Sequence, residues 1–146
     1  MRFLPTTRRA LAALVEAMAA DEDENGLAPP PQAMVWRVVD EYDAWLASCT
    51  PTMPIAMSLV VGVFEWLPIV IVHRLSRMSS LPLAERIEYL EKCERGSVGL
   101  LVAGFMGLKV GLTMLIYEKG SDLHETGYDR PTLASRRRLP VSSGAR

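Results

Sequence analysis

The chain is poor in the residues that usually carry chemistry. It has two cysteines, Cys49 and Cys93, and two histidines, His73 and His124. The cysteines form no Cys-x-x-Cys pair and have no histidine at metal-ligand spacing. A bridge between them, a bridge to a partner and two buried thiols all remain open; the buried thiols are preferred, because free cysteine is a small hydrophobe. Neither histidine has a Ser, Cys or carboxylate spaced for a triad, so His73 reads as a helix-end residue and His124, beside Glu125, as a surface one. No Gly-x-Gly-x-x-Gly is present, which removes a dinucleotide site, and no Cys-x-x-Cys-His, which removes covalent haem. Charge of either sign is also lacking in excess: 16 basic residues face 17 acidic ones. That balance argues against nucleic acid as the main partner. The acidic run Asp21-Glu22-Asp23-Glu24 lacks the rest of a calcium-loop pattern and reads as a solvated loop.

What is abundant is apolar. Hydrophobic residues make up 49% of the 146 residues, and the mean hydropathy is +0.14. That is high for a small soluble domain, so a partner protein or a bilayer is expected to absorb apolar surface that one small core cannot hide. The length allows one helical domain over 1–131, followed by a basic, disordered tail over 132–146 that carries Arg136-Arg137-Arg138.

Spacing predicts helices throughout. Leu11, Leu14, Val15 and Met18 recur at three and four residues and predict an amphipathic first helix. The same stretch, with Arg8-Arg9 and Ala17-Met18-Ala19, also fits a twin-arginine export start, but Glu16 interrupts a short apolar run and the helix is the preferred reading. Gly26 is suited to a left-handed cap, and Pro29-Pro30-Pro31 stiffens the approach to a second helix over 32–48. In that helix Val35, Val38, Val39, Tyr42, Trp45 and Leu46 form the apolar stripe, and Arg37, Asp40, Glu41 and Asp43 fall elsewhere.

Two long apolar segments follow, Met53 to Val72 and Ser97 to Tyr117, each holding one charge near its middle, Glu65 and Lys109. Pro68 lacks an amide hydrogen, so the first should kink or restart near Phe64 to Trp66, with His73, Arg74 and Arg77 facing the negative end of its dipole. Between them Ser79 or Ser80 caps a short polar helix with Glu85 in its first turn, and Leu83, Ile87, Leu90 and Glu94 share a face. In the second segment Gly99, Ala103, Gly107 and Gly111 recur every four residues and leave a groove for a close neighbour. No β-alternation stands out. The expected fold is all-α, a single bundle of about five helices with two long apolar central helices.

At about 20 residues each segment could cross a bilayer. A charge in mid-span costs about 2.5–3.5 kcal/mol, which pairing of Glu65 with Lys109 would offset in a membrane hairpin and in a soluble bundle alike. The non-spanning bundle is preferred.

Five short matches occur in one order: Leu83-Ala84-Glu85-Arg86, Cys93-Glu94-Arg95-Gly96, Lys109, Tyr117 and Gly127-Tyr128-Asp129-Arg130-Pro131. In that order the chain resembles the small, non-catalytic subunit of FAD-dependent gluconate and glucose dehydrogenases, the gluconate 2-dehydrogenase subunit 3-like family. It carries Arg130 where that family has glycine and Cys93 where it has an aromatic residue. The resemblance implies an accessory subunit that is not itself an enzyme, binds no cofactor, and clasps a glucose-methanol-choline-type large subunit that holds the FAD. Gly127, Tyr128, Asp129 and Pro131, with Tyr117 and Lys109, are the expected partner-binding positions. Location in the cell envelope, periplasmic or membrane-associated, fits that role, and a cytoplasmic one stays open without a clear export signal. The alternative function is a small two-span membrane anchor.

Overall fold

The computed structural model describes residues 3–23, 26–50, 52–71, 75–96 and 98–118. Five principal helices carry the fold: α1 (Pro5–Met18), α2 (Gln32–Cys49), α3 (Met53–Trp66), α5 (Leu83–Glu94) and α6 (Gly99–Tyr117). The short α4 (Pro68–Ile71) and a 3₁₀ turn (Met78–Ser80) join α3 to α5. The all-α expectation holds. The part of the chain up to Ile116 is one compact unit. The expected domain end at residue 131 and the tail over 132–146 lie outside the described residues.

Helix α1 starts at Pro5, whose fixed φ and missing N–H suit a first helical position. It is the centre of the bundle. Ala10, Leu11, Ala12, Ala13, Leu14 and Val15 are buried in unbroken succession, so the helix is covered on nearly every side, and its alanines let α2, α3 and α5 come close. The face predicted through Leu11, Leu14 and Val15 is inside, yet it is only part of what is inside.

Helix α2 turns Val35, Val38, Val39, Tyr42 and Leu46 inward as its spacing predicts. Two assignments change. Trp45 is half exposed, while Asp43 is buried. The reason is local chemistry: the Asp43 carboxylate accepts the Phe3 N–H at 3.1 Å and faces the Arg8 guanidinium at 3.5 Å, and Arg8 also meets Asp40 at 2.6 Å. A carboxylate with a donor and a cation is tolerated where a bare one would not be.

The first apolar segment is not one long helix. Helix α3 stops at Trp66 and α4 restarts at Pro68, because proline can neither donate to nor pack beneath the preceding turn. The sequence located this break correctly. Its consequence is that one helix among those described, α6, is long and apolar enough to cross a membrane, rather than two.

The acidic run also differs from expectation. Asp21–Asp23 and Gly26–Ala28 pair as a two-stranded antiparallel ribbon, with Asp23 opposite Gly26. Gly26 has φ 109°, so its left-handed preference serves the ribbon and not a helix cap.

The interior is built on Tyr42, Tyr89, Phe64, Leu11, Leu14, Leu46, Met78, Leu108 and Leu112, each almost wholly buried. Phe64 and Phe105 meet at 5.7 Å between ring centres and join α3 to α6. In α5 Arg86, Tyr89, Leu90 and Cys93 are buried, and Leu83 and Ile87 pack beside them. Helix α6 contributes only Phe105, Leu108, Leu112 and Ile116.

Candidate functional site

The polar interior of the bundle is organised by Arg86. Its guanidinium donates to Ala13 O at 3.1 Å, to Glu16 Oε2 at 2.9 Å and to Leu81 O at 2.9 Å. The residue is 7% exposed, and its Nε is buried without a partner among the described residues. Glu16 is further held by Gln32 Nε2 at 2.7 Å. One cation thus fastens α5 to α1 and to the strand-like residue ahead of α5.

Next to this knot, a cleft of about 610 Å³ opens between α1, α3 and the 78–80 turn. Arg9, Glu16, Trp36, Glu65, Trp66 and Arg77 supply its larger side chains. Each carboxylate is engaged. Glu65 accepts the Ser79 N–H at 3.2 Å and the Ser79 hydroxyl, and Glu16 is bound as above. The Arg77 guanidinium stacks 4.6 Å above the Trp66 ring centre, and that of Arg8 lies 5.9 Å from the Trp36 ring centre. This overturns two expectations. Ser79 ties the turn to α3 instead of capping α5, whose start at Pro82 has no side-chain cap. Glu65 pairs with Ser79, not with Lys109. Arg77 stacks on Trp66, the last residue of α3. His73 and Arg74 lie outside the described residues.

Tyr89 donates to Phe64 O at 2.8 Å, and burial first, then its contact with Cys93, pushes the phenol well above its ordinary value. Burial also raises the Cys93 thiol, against a smaller opposing contact with the Tyr89 hydroxyl oxygen, so it stays protonated. Cys93 is therefore the interior thiol expected. Cys49 is not: it is free and exposed at the last position of α2. Among the described residues, no three of His, Cys, Asp and Glu come together to hold a metal ion.

Of the expected partner-binding residues, Lys109 and Tyr117 are described. Lys109 Nζ lies 2.8 Å from both carboxylate oxygens of Glu94. Its partner is thus at the end of α5, next to the Cys93-Glu94-Arg95-Gly96 turn. Tyr117 is exposed at the end of α6. Gly127, Tyr128, Asp129 and Pro131 lie outside the described residues, as does His124.

The largest feature the sequence left unplaced is the outward side of α3 and α6. Ile55, Leu59, Val63 and Trp66 on α3, and Leu100, Met106, Val110 and Met114 on α6, are exposed. The 3.6-residue period orders the two helices. On α3, Val60 and Phe64 face α6, Gly62 and Glu65 line the cleft, and the Ile55–Leu59–Val63 stripe runs between. On α6, Gly104 lies against Val60 and Gly111 against Tyr42, while an added Cβ at Gly99 or Gly107 would meet nothing. The four-residue glycine series therefore splits. Part of it admits bundle neighbours and part faces outward.

Arg86 was the functional-looking residue missed by sequence reasoning, which put Leu83, Ile87, Leu90 and Glu94 on the shared face of α5 and left Arg86 off it. The signal was present: Arg86, Tyr89, Leu90 and Cys93 recur at spacings of three, one and three, one stripe of a helix. Comparison with family models, curated proteins and solved structures finds no match to this chain.

Proposed function

We propose that this chain is a non-catalytic accessory subunit that binds and stabilises the large subunit of a glucose-methanol-choline-type FAD-dependent dehydrogenase. The observation that carries the reading is the uncovered apolar side of α3 and α6 on an otherwise well-packed bundle. Such a chain gains stability from a larger body that covers part of it, and a folding flavoprotein gains protection from aggregation in return. The ordered matches from Leu83 to Pro131 supply the kind of partner. Gly127, Tyr128, Asp129 and Pro131, together with Tyr117 and the Lys109–Glu94 pair, are the proposed contacts. The FAD belongs to the partner, and the complex resides in the cell envelope.

Co-expression with a large flavoprotein encoded beside this chain tests the reading. The two should elute together, and the yield of FAD-loaded partner should fall when this chain is omitted. A partner that loads FAD equally well alone, and never co-elutes, would defeat it.

A second reading is favoured by one observation: α6 has 19 residues and a mean hydropathy of 1.9 over its most apolar window. The chain would then be a membrane anchor with a single span through α6. Retention in the membrane after alkaline carbonate treatment supports that anchor, and release counts against it.

A further inference from the structure

We infer that the cleft between α1, α3 and the 78–80 turn binds an α-amino acid with an apolar side chain. The inference is independent of the flavoprotein reading, whose described contacts, Lys109, Glu94 and Tyr117, do not line this cleft.

The cleft presents charge of both signs that the protein leaves without an opposite charge. The Glu65 carboxylate is held by the amide and the hydroxyl of Ser79, a neutral residue. The Arg77 guanidinium is held by the Trp66 ring, also neutral, and among the described residues neither Arg77 nor Arg9 forms an ion pair. Glu16 differs, since Arg86 neutralises it. A ligand of one sign would be drawn to one pole and repelled by the other. A zwitterion satisfies both.

The two poles stand at the same end of the cleft. Glu65 meets Ser79 and its neighbour Trp66 meets Arg77, so two adjacent cross-links join the end of α3 to the turn ahead of α5. Each cross-link fixes its charged group before a ligand arrives, which lowers the ordering cost of binding. A carboxylate has about four lone-pair sites, and Ser79 uses two of those on Glu65, so the others can accept from an ammonium. Stacking covers a face of the Arg77 guanidinium and leaves its N–H edge for a ligand carboxylate.

Beside the poles the lining is small and apolar. Ala10 and Ala13 come from α1, Val61 and Gly62 from α3, and Trp36 from α2. Gly62, Glu65 and Trp66 recur at spacings of three and four, so they share one face of α3. An added Cβ at Gly62 would meet nothing within 4 Å, so open space adjoins the poles on that face. The cleft volume of about 610 Å³ is that of a small-molecule site. An α-amino acid joins an ammonium, a carboxylate and a side chain at one carbon, and here a carboxylate, a guanidinium and an apolar space meet at one end of a cleft.

Equilibrium dialysis of the full chain against labelled L-leucine tests the inference. The competitors are isocaproate, which is leucine without the ammonium, and isoamylamine, which is leucine without the carboxylate. Wild type should retain L-leucine saturably, and each competitor should need about tenfold more than unlabelled L-leucine. Glu65→Gln, which keeps an oxygen for the Ser79 hydroxyl, should bind L-leucine about tenfold more weakly and no longer prefer it to isocaproate. Arg77→Gln should likewise lose the preference over isoamylamine. These preferences are ratios within one protein, so lower stability of a variant does not produce their loss. Gly62→Leu fills the open space and favours the helix; it should abolish retention with no fall in melting temperature.

No saturable retention by wild type overturns the inference, as does either competitor matching L-leucine. An unchanged preference in either charge variant, or full retention by Gly62→Leu, overturns it as well.

Discussion

At the scale of single residues, Arg86 and the buried phenols carry the main consequences. Arg86 holds Ala13 O, Leu81 O and Glu16 from inside the bundle. Replacing it with Ala leaves two carbonyls and a carboxylate without their donor, a loss of about 3–5 kcal/mol. Lysine should recover little, because its three N–H bonds leave a single nitrogen, whereas the guanidinium reaches Ala13 O and Glu16 from Nη1 and Leu81 O from Nη2. Urea unfolding of Arg86→Ala and Arg86→Lys checks both statements. The tyrosines set the alkaline limit. Burial pushes Tyr42 from its ordinary 10.0 up to about 12, and raises Tyr89 and Cys93 as well. Because the folded values exceed the unfolded ones, the unfolded chain loses these protons first as pH rises. Stability is therefore fully present below the unfolded values and declines above about pH 9 to 10, where Cys93 and then the tyrosines begin to titrate in the unfolded chain. Melting temperature measured from pH 7 to pH 11 should be level and then fall, and Tyr42→Phe should fall less steeply.

Helix α6 shows at the element scale why spacing alone misleads. Gly107 and Gly111 are equivalent in the four-residue series, but a Cβ at Gly111 would lie 2.9 Å from Tyr42 Cε2 and one at Gly107 would meet nothing. Tyr42 is buried and has no room to retreat. Gly111→Ala should therefore lose about 1–3 kcal/mol to overpacking, which outweighs the helix gain. Gly107→Ala should gain up to about 1 kcal/mol from propensity. Opposite shifts in thermal melting are the expected result; shifts of the same sign would contradict the placement of α6. The break before Pro68 and the inward stripe of α2 were legible because proline sterics and the 3.6-residue period act within a few residues. The Asp21–Asp23 ribbon was not legible, since three-residue strands are too short to display alternation.

For the whole molecule, the decisive feature is that α1 is the hub. It is buried from Ala10 to Val15 and receives α2 through Arg8 and α5 through Glu16. Deleting residues 1–19, as cleavage after Ala19 would, should abolish cooperative melting, to be read by circular dichroism against the full chain. A fully cooperative, unchanged transition in the truncated protein would refute the central placement of α1. Export signals and core helices share a short apolar run beside basic residues, so their composition does not separate them.

The sequence by itself determined that the chain is helical, where its helices break, and that it carries more apolar surface than a small core can hold. These follow from local periodicity, proline and composition. Tertiary structure alone decided which charges meet and which face stays uncovered. Arg86 finds Glu16 across 70 positions, and Lys109 turns to Glu94 while Glu65 takes Ser79. Such pairs depend on how helices cross, which no short window of residues encodes, and the same crossing leaves the outer side of α3 and α6 facing away from the core.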